Sequence, residues 1–441
     1  MWGGDCEEQL LFQTCRVGGR FGTRFAFVFH VKLKTLFVYL CVLVALTGCS
    51  FWQGPTTAEI DGVKTKVQSQ DVGQIVRHIY EDREFRPVWV ARGERLPKLE
   101  QFFRLVDDTS HGLHPEAFAV ETLRQQNSDL IEFDIRVTST LARYAAAVAR
   151  KDVDVEKAVK DAIASDSIAD LANKLAPIHS DYAQLRSALA NASAEDRKKI
   201  ELNMNRWRKV PDDLGERHIR VNVPAFELAV HDGSNIPLKM KVVVGTNDNK
   251  TPLFSSDMKY VVFSPYWNIP ESILIKETLP RIQKDPDYAI RQNLEVVKVS
   301  GKRVEVIDPN DIDWDSVDES DLQLRQKPGA GNSLGLVKFV FPNRYNVYLH
   351  DTPADNLFDK LTRNFSHGCV RVEKPQELAE FVLRDQPEWT PDRIQNAMHA
   401  EEEKHVSLKE PLPVHILYFT AWVDETGALH LEKDIYGYDT P

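Results

Sequence analysis

The sequence predicts an α+β chain, with an N-terminal α-helical domain followed by a β-rich domain that carries a helical insertion. Three observations predict it. From residue 71 to about 205, apolar residues recur three and four positions apart, the spacing that gathers them on one face of a helix. Near Arg217 the period changes to two, as in "HIRVNVPAFELAVHDG", which places alternate side chains on one face of a strand. Between residues 270 and 335 the alternation is interrupted by "ESILIKETLPRIQKDPDYAIRQN", which reads as helical, and by a polar stretch ending in "RQKPGAGNSLG". With 441 residues, 42% of them hydrophobic and 27% charged, the chain can bury more than one core and lacks the composition of a disordered one.

The elements follow in chain order. "HVKLKTLFVYLCVLVALTGCS" has Lys32 and Lys34, an apolar run from Leu36 to Leu46, and small residues before Cys49. A positive region, a short apolar region and a small-residue cleavage site make a secretory signal, and the run is too short for an ordinary membrane span. The cysteine directly after Leu-Thr-Gly resembles that of a bacterial lipoprotein box, which implies lipidation of Cys49 and a mature chain starting there. Residues 1–48 are therefore read as a leader, and residues 49–70, without sustained periodicity, as a tether. Residues 1–30 fit neither part of a signal, and Val31-Lys32-Leu33-Lys34 makes a better start, so residues 1–30 are expected to be a start-site artefact.

Residues 71–205 form the helical domain, with breaks at Pro87, Gly112 to Pro115, and Pro177. It offers no cluster of catalytic side chains; His111 and His114 flank a Gly-Leu turn and are expected at a cap or on the surface. Residues 206–440 form the β-rich domain, where strand patterning returns in "LVKFVFPNRYNVYLH" and in "VHILYFTAWVDETGALHLEKDIYG". "PGAGNSLG" lacks both the Gly-Lys-Ser/Thr ending and the GxGxxG spacing of a phosphate loop.

The net charge of −11 becomes about −13 without residues 1–48, which hold five Lys/Arg and three Asp/Glu. No basic stripe is present, which argues against nucleic acid as a partner. Of Cys6, Cys15, Cys41, Cys49 and Cys369, only the last two survive processing, and lipidation occupies Cys49. An exported chain would then hold one free thiol in an oxidising compartment, so Cys369 is either an inert core thiol or a nucleophile.

The chemistry concentrates in "FSHGCVRV", residues 365–372. An ordinary thiol, with a pKa of roughly 8.5, is only slightly ionised at neutral pH and needs a nearby imidazole or helix N-terminus to work. His367 sits in the turn before "CVRV", and His350 closes the strand "NVYLH" just before Asp351-Thr352-Pro353. If the two segments are neighbours in one sheet, His350 can reach the sulfur. Gly368 leaves room for a carbonyl beside the amides of Gly368 and Cys369, where an oxyanion hole would form.

"YLHDTP" followed by "SHGCVRV" resembles the active site of L,D-transpeptidases with a YkuD-type catalytic domain. "SPYWNIPESI", "LRQKPGAGNSLGLVKFVFPNRYNVYLHDTP", "LFDKLTRNFSHGCVRVEKPQELA" and the C-terminal segment are similar to the larger periplasmic branch, as "YEDREFRPVWV" and "HGLHPEAF" are to its helical scaffold domain. The resemblance spans about residues 70–440. It implies Cys369 as the acylated nucleophile and His350 as its base. His367 and Gly368 then shape the turn and the oxyanion site, with the Tyr348 hydroxyl as a further donor. Arg371, where many shorter members have asparagine, would hold a substrate carboxylate; Arg363 would either do the same or serve a plain surface or fold-supporting role. Residues 270–335 stand where the family carries a lid, and Tyr266, Trp267 and the loop of Gly329, Gly331 and Gly335 would either frame the groove or serve only as core and turn residues.

The resemblance further implies a peptidoglycan L,D-transpeptidase that forms 3–3 cross-links between peptide stems, through a Cys369 thioester with release of D-alanine, without cofactor or metal, and open to acylation by carbapenems. Its place would be the periplasmic cell envelope. Its partners would be peptide stems, a membrane through the lipid anchor, and a peptidoglycan synthase. Residues 185–215 are too short and too charged for the peptidoglycan-binding module that larger members often insert, so glycan affinity would come from the scaffold, the lid or a partner. Two alternatives stay open: an L,D-carboxypeptidase, with water resolving the same thioester, and a noncatalytic lipoprotein using His350, His367 and Cys369 as zinc ligands. The spacing of that last set matches no common structural zinc site.

Overall fold

A computed structural model describes residues 54–300, 303–314 and 323–440; the leader of residues 1–48 and Cys49 lie outside them. The first described element corrects the tether reading: residues 57–69 are helix α1 (Thr57–Ser69). Thr56 and Glu59 cap its start reciprocally, and Val63 and Val67, four apart, are fully buried in the helical core. Two anchoring side chains suffice to dock a helix that is polar elsewhere, which is why it shows so little periodicity.

Helices α2 (Gln74–Asp82), α3 (Leu99–Asp107), α4 (Leu130–Val148), α5 (Val155–Ala164), α6 (Ser180–Leu189) and α7 (Ala194–Trp207) build the helical domain as the spacing predicts. At its centre Asp134 of α4 is buried. Its carboxylate accepts from the amides of Val88, Trp89 and Val90 and from the Tyr80 hydroxyl, fastening the "YEDREFRPVWV" segment to the helix. Of the two places expected for His111, a cap or the surface, it takes the end of a 3-10 turn, Thr109–His111, and it is buried, with Nδ1 3.0 Å from the Tyr182 hydroxyl and Nε2 3.3 Å from Asn173.

The second domain opens with β1 (Arg217–Asn222), β2 (Glu227–Asp232), β3 (Asn235–Gly245) and β4 (Phe254–Phe263). The insertion follows, and it is not purely helical. β5 (Trp267–Asn268), β6 (Leu294–Ser300), β7 (Arg303–Ile307) and β8 (Gln323–Gln326) form a separate sheet in the order β5-β8-β6-β7. Against it pack the helical turns of residues 271–291, around a small core that includes Leu274, Ile282, Leu294 and Leu324. The alternation in "LEVVKVSGKRVEVI" carries the strand signal, which the helical run before it overshadowed.

β9 (Val337–Val340), β10 (Leu349–His350), β11 (Asn364–Ser366), β12 (Val370–Val372) and the long β13 (Lys404–Leu417) complete the main sheet. Its order is β11-β3-β12-β10-β9-β4-β13-β1-β2, and β2 also pairs with β3, so the sheet closes into a barrel-like ring. A core of alternating residues fills it, including Val221, Leu228, Val261, Phe339, Leu349 and Val370. After β13 the chain returns to the helical domain: Phe419, Ala421 and Val423, at the hairpin of β14 (Ala421–Val423) and β15 (Leu429–Leu431), join its core. Trp207 of α7 stacks on Phe419 at 4.5 Å, and the buried Asn203 accepts from the Thr420 amide and donates to its hydroxyl.

Candidate active site

β10 and β12 run parallel and adjacent, with Leu349 opposite Val370 and His350 opposite Arg371. Side chains alternate across a strand, so Leu349 and Val370 enter the barrel core while Tyr348, His350, Cys369 and Arg371 share the other face. All four line a cavity of about 540 Å³. Its opposite wall comes from the insertion, through Trp267, Ile273, Glu277, Arg281 and Tyr288.

The partly buried Cys369 sulfur accepts from the backbone N–H and the hydroxyl of Tyr348 and lies 3.9 Å from the Asn346 carbonyl. Burial pushes its pKa up, against the Tyr348 donors and the Arg371 cation. His350 Nδ1 lies 2.6 Å from the Asp351 carbonyl oxygen. A carbonyl only accepts, so Nδ1 carries the hydrogen and Nε2 keeps its lone pair. Burial, reinforced by the Arg371 charge, lowers the His350 pKa to about 3, despite the carbonyls of Asp351 and Leu334. At neutral pH the thiol and the imidazole are thus both uncharged. Beside them Arg371 is mostly buried, and its Nε has no hydrogen-bond partner among the described residues.

Short side chains hold this geometry. Ser366 Oγ donates to the Cys369 carbonyl at 2.5 Å and accepts from the Gly368 amide at 3.1 Å. Thr251 Oγ1 donates to the Gly368 carbonyl at 2.9 Å, and the Thr251 amide donates to the Tyr436 hydroxyl at 3.1 Å. Gly368, at φ +112°, occupies backbone space that favours glycine. Below His350, the Asp351 carboxylate accepts from the amides of Leu336 and Thr352. It fits only because Gly335 has no side chain; a Cβ there would stand 2.3 Å from Asp351 Oδ2.

Comparison with known proteins identifies two domains. Residues 216–396 match the model of the YkuD L,D-transpeptidase catalytic domain, and residues 74–189 match that of the scaffold domain. The chain carries a YkuD L,D-transpeptidase catalytic domain behind a scaffold domain. Over 242 residues it is 36% identical to a Haemophilus influenzae protein described as "Putative L,D-transpeptidase", a match covering 55% of this chain and 48% of that one. The chain thus spans about half the length of that relative. Among solved structures, an L,D-transpeptidase from Mycobacterium smegmatis is 13% identical with a TM-score of 0.23, covering 46% of this chain and 58% of its own. L,D-transpeptidase 1 of Mycobacterium tuberculosis is 11% identical with a TM-score of 0.19, covering 46% and 61%.

Within this L,D-transpeptidase fold, the sequence-derived residues do not all meet. Cys369, His350, Tyr348, Arg371, His367 and Trp267 line the one cavity; Arg363 does not. Its guanidinium is spent on the carbonyls of Val242, Lys360 and Phe226, and it packs over the Phe226 ring, so its role is to fasten β11 to the barrel. His367 pairs with Glu277 of the insertion at 2.6 Å rather than with the sulfur. The Gly368 amide, expected at the oxyanion, is taken by Ser366; the Cys369 amide has no partner among the described residues. Tyr266 turns from the groove to stack under Arg325. Among the described residues no group of three or more His, Cys, Asp or Glu is arranged to hold a metal, so the zinc reading finds no ligand set there. Sequence reasoning missed Ser366, although it stands within "FSHGCVRV", and Glu277, Thr251, Asp351 and Tyr436, whose positions carry no local pattern.

Proposed function

We propose that this protein is a cysteine-dependent peptidoglycan L,D-transpeptidase that forms 3–3 cross-links between peptide stems. The observation that carries the reading is the quartet on β10 and β12: a thiol held by Tyr348, a neutral imidazole whose Nδ1–H is held by the Asp351 carbonyl, and a buried guanidinium whose Nε is unpartnered among the described residues.

In this reading His350 Nε2 takes the thiol proton as sulfur attacks the carbonyl of the third stem residue. The Cys369 amide and the Tyr348 hydroxyl, released as the sulfur forms its new bond, receive the oxyanion. The imidazolium returns its proton to the departing D-alanine amine, and a thioester remains. An amine of a second stem attacks it, His350 takes the amine proton and returns it to the thiol, and the cross-link forms. Arg371 receives a donor carboxylate, the group that satisfies a buried guanidinium best. The insertion wall keeps water from the thioester. Lipidation at Cys49, and with it a place on the envelope side of a bacterial membrane, belongs to the same reading.

The test is mass spectrometry of disaccharide-tetrapeptide incubated with the mature protein and with Cys369→Ala. Cysteine-dependent dimers that have lost D-alanine are expected. Tripeptide monomers alone would make the enzyme a carboxypeptidase, and an unchanged substrate would remove the proposal.

A further inference from the structure

A second cavity, about 760 Å³ and larger than the one at Cys369, opens where the helical domain meets the barrel. α6 and α7 supply one wall, β1 to β3 another, and the β14 region closes the third. None of the residues around the thiol lines it.

Buried side-chain polar atoms are nearly always hydrogen-bonded. Around this cleft four have no partner among the described residues: Trp207 Nε1, Trp422 Nε1, His218 Nε2 and Asp212 Oδ1. The indoles are donors. His218 Nδ1 donates to the Gly215 carbonyl at 2.7 Å, so its Nε2, like Asp212 Oδ1, is an acceptor. The cleft therefore wants acceptors and donors in equal measure, which hydroxyl groups supply from one atom.

Its cations are already matched: Arg220 pairs with Asp181 at 3.1 Å and Lys239 with Glu425, while Asp212 is met by Arg150 and Asp424 by His430 at 2.7 Å. Asp213, Glu216 and Glu227 also line the cleft and have no ion-pair partner among the described residues, so a phosphate would be repelled, whereas ligand hydroxyl groups can donate to these carboxylates. Trp422, partly exposed and stacked on His430 at 4.2 Å, adds an aromatic surface of the kind that accepts the C–H face of a sugar ring.

We infer that this cleft is a saccharide site that holds the N-acetylated glycan strand while its stem occupies the Cys369 cavity. This deepens the proposed function and rests on it for the identity of the glycan. β3 connects the sites: Ile236 and Lys239 line the cleft, and Gly245, at the other end of the strand, binds Thr251 and Tyr436 behind the Cys369 turn. The six steps of strand from Lys239 to Gly245 span ~20 Å, a distance a stem peptide and a few sugars of one strand can bridge. Glycan affinity then needs no separate binding module.

The probe is the tetrasaccharide of N-acetylglucosamine, titrated calorimetrically against the whole mature chain. Saturable binding is expected in the wild type and equally in Cys369→Ala. Trp422→Ala and the near-isosteric Glu227→Gln, on the cleft wall, are each expected to weaken it tenfold or more while leaving turnover of free disaccharide-tetrapeptide unchanged. Circular dichroism checks that both variants fold, and Glu227→Gln keeps the test decisive should Trp422→Ala not. No binding by the wild type, or binding indifferent to both substitutions, overturns the inference even if Cys369 forms its thioester. Glycan binding with an inert Cys369 would instead remove the proposed chemistry and leave a saccharide site.

Discussion

At Cys369 and His350 burial acts on both groups in the direction of neutrality, since thiolate and imidazolium are the charged forms it disfavours. The pair should therefore behave as thiol plus base rather than as a preformed ion pair. Alkylation of Cys369 by iodoacetamide is expected to accelerate continuously from pH 6 to pH 9, approaching tenfold per unit; a plateau across pH 5–8 would reveal a thiolate–imidazolium pair instead. His350→Gln keeps a polar side chain but no proton acceptor of suitable basicity, and should slow thioester formation by roughly 10²–10⁴, measured by mass spectrometry of the acylated protein. Arg371→Ala should raise KM for a tetrapeptide donor by about 10–100-fold, the worth of a charge-assisted hydrogen bond, and Arg371→Lys should recover part of it. These residues were legible because a cysteine and two histidines in turn-and-strand context are conspicuous. Arg363 and Arg371 look alike in sequence and differ only in which carbonyls surround them after folding, so no pattern could separate them.

Among the elements, the turn that leads into β9 shows how one glycine sets the site. Gly335 and Gly233 have nearly the same φ, +62° and +59°, but a Cβ at Gly233 meets nothing within 4 Å, whereas one at Gly335 meets the Asp351 carboxylate. Gly233→Ala should then cost only the left-handed backbone, about 1 kcal/mol, and leave activity intact. Gly335→Ala should cost about 1–3 kcal/mol more and displace His350, so the urea midpoint and the rate fall together. Equal effects of the two substitutions would refute this account. The barrel strands were readable because one face of each is buried and alternation follows. α1, with two buried anchors, and the hairpin of the insertion, whose core is small, lacked a pattern strong enough to outweigh their neighbours.

At the scale of the molecule, chain order and spatial order diverge: the C-terminal hairpin completes the helical domain, so truncation after Leu417 should abolish cooperative unfolding of the scaffold as well as of the barrel edge. The same junction concentrates histidines. His218 stacks parallel to His231 at 4.6 Å and edge-on to His415 at 5.5 Å, with Arg220 and Lys239 facing them and Asp181 and Glu425 opposing. Burial lowers His218 to about 4 and His231 to about 3, and lowers His415 as well. The unfolded chain, with histidines near 6.5, binds more protons than the folded one between that value and the folded pKa values. Stability is therefore fully present above about pH 6.5 and lost as pH falls towards 4, by up to about 1.4 kcal/mol per pH unit for each histidine. Urea midpoints should drop from pH 7 to pH 5, a range above most carboxylate titrations, and His231→Asn should flatten that slope. A midpoint constant over this range would mean that the three imidazoles accept protons in the fold as readily as outside it.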